Sequence, residues 1–182
     1  MSDMTNTLAL VFGGGRDIGA AISIALARRG AQVALTYNSS NPAETLATIE
    51  ALGQKPLAQK VDAFDTTAVR NFATWAQQQS GNPINILVNV VGGLLARKKM
   101  EEMDDAFWDQ VFSLNVKSVF AMTQSALPLM SDGGAIVNVS SISALRPRGL
   151  TAYTVSKSAV IGLILLFTVS GPIHRLDLKR PA

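Results

Sequence analysis

The chain has no cysteine and a single histidine among its 182 residues. The first absence removes disulfide frameworks, thiol nucleophiles and thiolate metal sites together, and it is compatible with a reducing compartment. The second leaves His174 without another imidazole with which to share a metal, so no metal site is expected. Charged residues make up only 16 % of the chain, the net charge is +3, and the basic residues are dispersed. Despite a pI near 9.4, nothing in that distribution marks nucleic acid as a partner. Long apolar runs are missing too. The stretch Ala159–Val169 is interrupted by Gly162 and falls short of the roughly 18 residues that span a bilayer. The opening MSDMTNTLAL has no basic residue before its short apolar run, which reads as a buried strand and not a secretory signal. These features predict a cytoplasmic protein with no membrane partner.

What is present is a large apolar fraction, 48 %, which at this length supports one compact domain over 1–182 with about 70 % of its unfolded surface buried. Apolar segments alternate with amphipathic ones. Thr7–Phe12 is a strand, followed by Gly13-Gly14-Gly15 and a helix from Ile18 to Arg29 that closes at Gly30. Ala31–Tyr37 is a second strand. Asn41-Pro42-Ala43-Glu44 then supplies an N-cap, a first-turn proline and a capping-box glutamate for a helix ending near Gly53. Pro56–Val61 is a third strand, Asp65 caps the helix carrying Val69, Phe72 and Trp75, and Ile84–Val91 is a fourth strand. One long helical region runs through Trp108, Phe112, Val119 and Leu127 to about Met130, Ala135–Val139 is a fifth strand, and a last helix spans about Thr151–Val169. Strands apolar on both faces, joined by one-sided helices, require a parallel sheet covered on both sides. The predicted fold is therefore α/β, a doubly wound parallel sheet of the Rossmann type.

Glycines directly after the first strand let the backbone approach a pyrophosphate, whose charge is favoured by the following helix's amides and positive end. Gly13, Gly15, Arg16, Asp17, Ile18 and Gly19 are the candidate contacts. An acidic residue usually ends the second strand of such folds and binds the ribose 2′-hydroxyl. Here Tyr37-Asn38-Ser39-Ser40 stands in that place. Hydroxyls and an amide can hydrogen-bond a 2′-phosphate, and Arg16 can add positive charge, so NADP(H) is expected in preference to NAD(H). The plain alternatives are a tight turn, a solvated Arg16 and a loop that caps the next helix.

Tyr153 and Lys157 lie four positions apart in Tyr-Thr-Val-Ser-Lys, after Ser140-Ser141. That spacing puts both on one helix face. A phenol with a pKa of about 10 is a poor proton donor or base near neutrality, and a fixed ammonium beside it favours the phenolate.

Together these residues resemble the classical short-chain dehydrogenase/reductase family, most closely its bacterial 3-oxoacyl-[acyl-carrier-protein] reductases, over about residues 7–165. The family's T-G-x-x-x-G-x-G falls on Phe12 to Gly19, with Phe12 in place of threonine and Asp17 in place of the middle glycine. Its N-N-A-G motif is half matched by Asn89-Val90-Val91-Gly92. The resemblance implies further cofactor contacts from Asp62, Ala63, Asn89, Gly92, Tyr153 and Lys157. Asp62 corresponds to an adenine-binding aspartate and has a strand-end turn residue as its alternative reading. It also implies a catalytic set of Asn115, Ser141, Tyr153 and Lys157 that reduces a ketone to a secondary alcohol, as in fatty acid biosynthesis. Ser141 would hydrogen-bond the substrate oxygen and Tyr153 would protonate it. Lys157 would hold the nicotinamide ribose, and Asn115 would hold a water in the proton relay. Ser140 and Ser143 are the alternatives to Ser141.

The likeness stops near Leu165, and 166–182 forms an atypical tail with His174, Arg175, Lys179 and Arg180 clustered in it. On this reading the family's last strands and substrate lid are lacking. A second reading follows, in which the chain is a catalytically silent nucleotide-binding or association protein. The family's assembly implies a homo-oligomer, a dimer or tetramer, acting on a small-molecule carbonyl or acyl thioester. The run Arg97–Asp105 reads as a solvated face.

Overall fold

The computed structural model describes residues 4–146, 149 and 151–169, with the backbone alone from 164 onward. Most of the expected tail, with its four basic residues, lies outside the described residues. Five strands form one sheet in the order β3-β2-β1-β4-β5, and all four pairings are parallel. They are β1 (Leu8–Phe12), β2 (Gln32–Tyr37), β3 (Leu57–Lys60), β4 (Ile84–Asn89) and β5 (Met130–Asn138). The helices are α1 (Asp17–Arg28), α2 (Ala43–Ala51), α3 (Thr66–Ser80), α4 (Asp105–Phe112), α5 (Ser118–Ala126) and α6 (Thr151–Val169).

The central strand, LALVF, is buried along its whole length, and strand alternation divides its side chains between two cores. Leu8, Leu10 and Phe12 join Val69, Phe72, Ala73 and Ala76 of α3 and Ala121, Met122 and Ala126 of α5. Val11 joins Val33, Leu35, Ala27 of α1 and Ile49 of α2 on the other side. Helix caps follow local chemistry. Asp65 accepts from the amides of Thr67 and Ala68, as expected of an N-cap. By contrast, α2 starts one residue later than expected: Pro42 is its N-cap with no side-chain cap bond, and Asn41, one residue earlier, accepts from the amide of Ala43.

Two elements depart from expectation. The long helical region is broken by a π turn, Ser113–Lys117, between α4 and α5, and it ends in a 3-10 turn at Leu127–Leu129. Such bulges arise where a side chain intrudes on the helical ladder, and here the Asn115 amide donates to the carbonyl of Val111. The fifth strand starts earlier than its apolar run, at Met130, because Gly133 at φ 75 lets the register shift between Ile84 and Ile86 of β4. Among the described residues no helix is long and apolar enough to cross a membrane.

β1 has β2 on one side and β4 on the other, so the chain reverses its direction of travel across the sheet after β3. Open parallel sheets bind ligands at the carboxyl ends of the strands at this switch point.

Candidate active site

At that point a cleft of about 530 Å³ runs from Tyr37, Asn38, Ser39 and Ser40 past the glycine turn to Val90–Gly93. Gly13, Gly15, Arg16, Asp17, Ile18, Gly19 and Gly92 all line it, as does Ala63. The turn is packed so closely that side chains are excluded. A Cβ on Gly19 would lie 1.9 Å from the carbonyl oxygen of Gly13, and one on Gly14 would lie 2.7 Å from both Leu35 Cβ and Ser23 Oγ. Gly13 itself has φ +90, in the region that favours glycine.

Three hydroxyls fix this turn. The Gly13 amide donates to Thr36 Oγ1 at 2.8 Å, Ser23 Oγ donates to the carbonyl of Gly14 at 3.2 Å, and Thr45 Oγ1 donates to that of Gly15 at 3.1 Å. Thr36, Ser23 and Thr45 are buried, so these bonds meet no competition from water. The only sequence signal for them is a small hydroxyl residue on an otherwise apolar face, as with Ser23 inside AAISIALA.

The other end of the cleft meets the tyrosine-lysine helix. Lys157 on α6 is 3 % exposed, and its Nζ donates to the carbonyl of Val139, just past β5. Burial holds its ammonium below the usual lysine pKa. Gly92 supplies the room. A Cβ there would sit 2.5 Å from Lys157 Nζ and 2.6 Å from Asn115 Oδ1, so these two side chains converge on one point in the cleft wall. Tyr153, one turn before Lys157, lines a small recess with Leu94, Ala96, Arg97, Lys98 and Phe107. Ser140 Oγ donates to the carbonyl of Lys157 and thereby anchors α6. Ser141 Oγ accepts from the amide of Ser143 and caps a 3-10 turn at Ile142–Ala144.

A profile of the family described as short chain dehydrogenase matches residues 7–170. The chain belongs to the short-chain dehydrogenase family. A 3beta-hydroxysteroid dehydrogenase of Mediterraneibacter gnavus is 36 % identical over 166 residues, 90 % of this chain and 60 % of that protein. Among solved structures, a short-chain dehydrogenase/reductase from Serratia marcescens is 37 % identical with a TM-score of 0.87, covering 92 % of this chain and 69 % of the other. A short chain dehydrogenase from Burkholderia cenocepacia in complex with NADP is 34 % identical with a TM-score of 0.86 and the same coverage. The chain spans about three fifths of the length of the curated relatives it matches first.

Three of the expected site residues lie outside the cleft lining. Asn89 is 1 % exposed and lies beneath the cleft, where its amide donates to Thr123 Oγ1 and Asn138 Oδ1. The pleat of β4 turns this side chain inward, away from the cleft lining. Asp62 is exposed, and its Oδ1 accepts from the amide of Phe64. It forms a strand-end turn, while its neighbours Val61 and Ala63 line the cleft. Asn115 is fully buried. Its Nδ2 donates to the carbonyls of Gly93 and Val111, and its Oδ1 accepts from the amide of Gly93. Both amide protons are used, so the side chain fastens Gly93 to the π turn and has no proton left to offer a water.

Proposed function

We propose that the cleft binds a nicotinamide nucleotide, with NADP(H) preferred over NAD(H), and that the protein reduces a ketone to a secondary alcohol. The observation that carries this reading is the convergence of Lys157 and Asn115 on Gly92, at the end of a cleft whose other lining is the glycine turn. The residues fit the nucleotide. The turn excludes side chains where a pyrophosphate needs close backbone approach, and Arg16 with Tyr37, Asn38 and Ser39 offers donors where a 2′-phosphate would lie.

When bound, the nucleotide supplies the hydride. The chain's own residues supply the rest. Ser141 hydrogen-bonds the carbonyl oxygen and Tyr153 gives that oxygen its proton. Lys157 favours the phenolate that remains and holds the nicotinamide ribose, and Asn115 keeps the Gly92-Gly93 wall in place. The substrate we favour is a 3-oxoacyl thioester or a similar small ketone, on the resemblance to 3-oxoacyl-[acyl-carrier-protein] reductases. We also favour a homo-oligomer. Phe120 on α5 and Val155 on α6 leave apolar surface exposed, of the kind subunit contacts cover.

The test is to follow oxidation of NADPH and of NADH with an acetoacetyl thioester. Turnover with NADPH above that with NADH is expected, and Tyr153→Phe should lower it by about 10²-fold or more with nucleotide affinity kept. Nucleotide binding without turnover would support a catalytically silent binding protein instead. Unchanged turnover in Tyr153→Phe would remove the mechanism.

A further inference from the structure

Among residues 13–19 the turn carries two charges, on Arg16 and Asp17, and both residues line the cleft. They are paired. Arg16 Nε lies 3.6 Å from Asp17 Oδ2, with side chains 71 % and 78 % exposed. Asp17 is also one of the few non-glycine residues with a positive φ, at 49, and it opens α1 as the acidic residue of its first turn. A conformation that L-residues avoid, apart from Asn and Asp, thus places a carboxylate at the end of a helix that would otherwise attract anions.

We infer that Asp17 is a brake on nucleotide affinity: its carboxylate competes with ligand phosphate for Arg16 and repels the same phosphates. The inference rests on the proposed nucleotide cleft. An exposed pair of this length is weakly held in water, so a phosphate can displace it. The carboxylate remains within the cleft lining afterwards, because the backbone at Asp17 holds that residue in the turn. The penalty grows with ligand charge, so Asp17 opposes a 2′-phosphorylated nucleotide more than an unphosphorylated one and narrows the preference that Arg16 creates. A binding site that releases its nucleotide after each turnover gains from such a limit on affinity.

The test uses calorimetric titration of the whole chain, its Asp17→Asn variant and its Asp17→Gly variant with 2′,5′-ADP and with 5′-AMP. Asparagine keeps the shape and tolerance for positive φ and removes only the charge. Asp17→Asn should bind 2′,5′-ADP about two- to fivefold tighter, with a smaller gain for 5′-AMP, and both gains should shrink as salt rises. Asp17→Gly should show the same gain, since glycine also takes the positive φ and carries no charge. Unchanged or weaker binding of 2′,5′-ADP by Asp17→Asn, with the fold intact by circular dichroism, overturns the inference and leaves the proposed function standing. Tighter binding without ketone turnover supports the inference and removes the catalytic reading. A wild-type chain that binds neither adenine nucleotide overturns both.

Discussion

Lys157 is the residue whose environment most constrains the chemistry. Its ammonium is buried with one protein acceptor, Val139, and burial lowers its pKa from 10.5. The sign of the effect on stability follows. The folded state holds this proton less tightly than the unfolded chain, so burying the charged amine costs stability below the folded pKa. That cost disappears as pH rises from the folded pKa towards 10.5. At neutral pH Lys157→Met should therefore raise stability, by about 0.5–2 kcal/mol, while abolishing turnover; urea denaturation alongside a rate assay checks both, and a less stable variant would contradict this account of the lysine. If the charge on Lys157 supports the proton transfer, turnover should also fall along an alkaline limb centred below 10.5. In Lys157→Arg any residual activity should lose the part of that limb that comes from the lysine, because a guanidinium stays charged. That Tyr153 and Lys157 share one helix was legible in the sequence, because four-residue spacing is local to α6. The hydroxyl anchors of the glycine turn were not. Thr36, Ser23 and Thr45 reach Gly13, Gly14 and Gly15 from three different elements, and no local pattern encodes such a meeting.

At the level of elements, the π turn between α4 and α5 is where tertiary contact overrides helical periodicity. Asn115 makes its bonds to Gly93, 22 residues away in sequence, and one to Val111 within the helix. Replacing it by alanine removes three hydrogen bonds, two to the half-buried Gly93 at the cleft wall and one to Val111, and each such bond is worth about 0.5–1.5 kcal/mol. Asn115→Ala should accordingly lose about 2–3 kcal/mol in urea denaturation, with amide exchange accelerated at Gly93 before other β4 neighbours. Uniform exchange across the sheet would mean that the bonds are dispensable. The same logic explains what the sequence conveyed about elements. All five strands and the Asp65 cap follow from alternation and near-neighbour chemistry, and the sheet's parallel character follows from strands apolar on both faces. The π turn and the early start of β5 depend on partners far along the chain, Gly93 for one and the shifted register with β4 for the other.

Taken whole, the molecule has its cleft where the sheet changes direction, and its two cores are stitched through one strand. β1 is the seam, since its alternate residues serve the α3/α5 core and the α1/α2 core. The pairing that completes it is remote: the Leu8 amide donates to Asn85 Oδ1, 77 residues further on, and β4 aligns beside β1 from Leu8 to Phe12. During synthesis the first strand therefore emerges with one flank open, and ribosome-bound fragments ending before β4 have left the exit tunnel should be protease-sensitive, with protection arising once residues 84–89 are outside. Protection of much shorter fragments would show that the first βαβ segment is autonomous. Until β4 arrives, a wholly apolar strand edge is available to any passing chain, so the nascent protein's window of vulnerability to aggregation is set by the time a ribosome takes to translate the interval between its first and fourth strands.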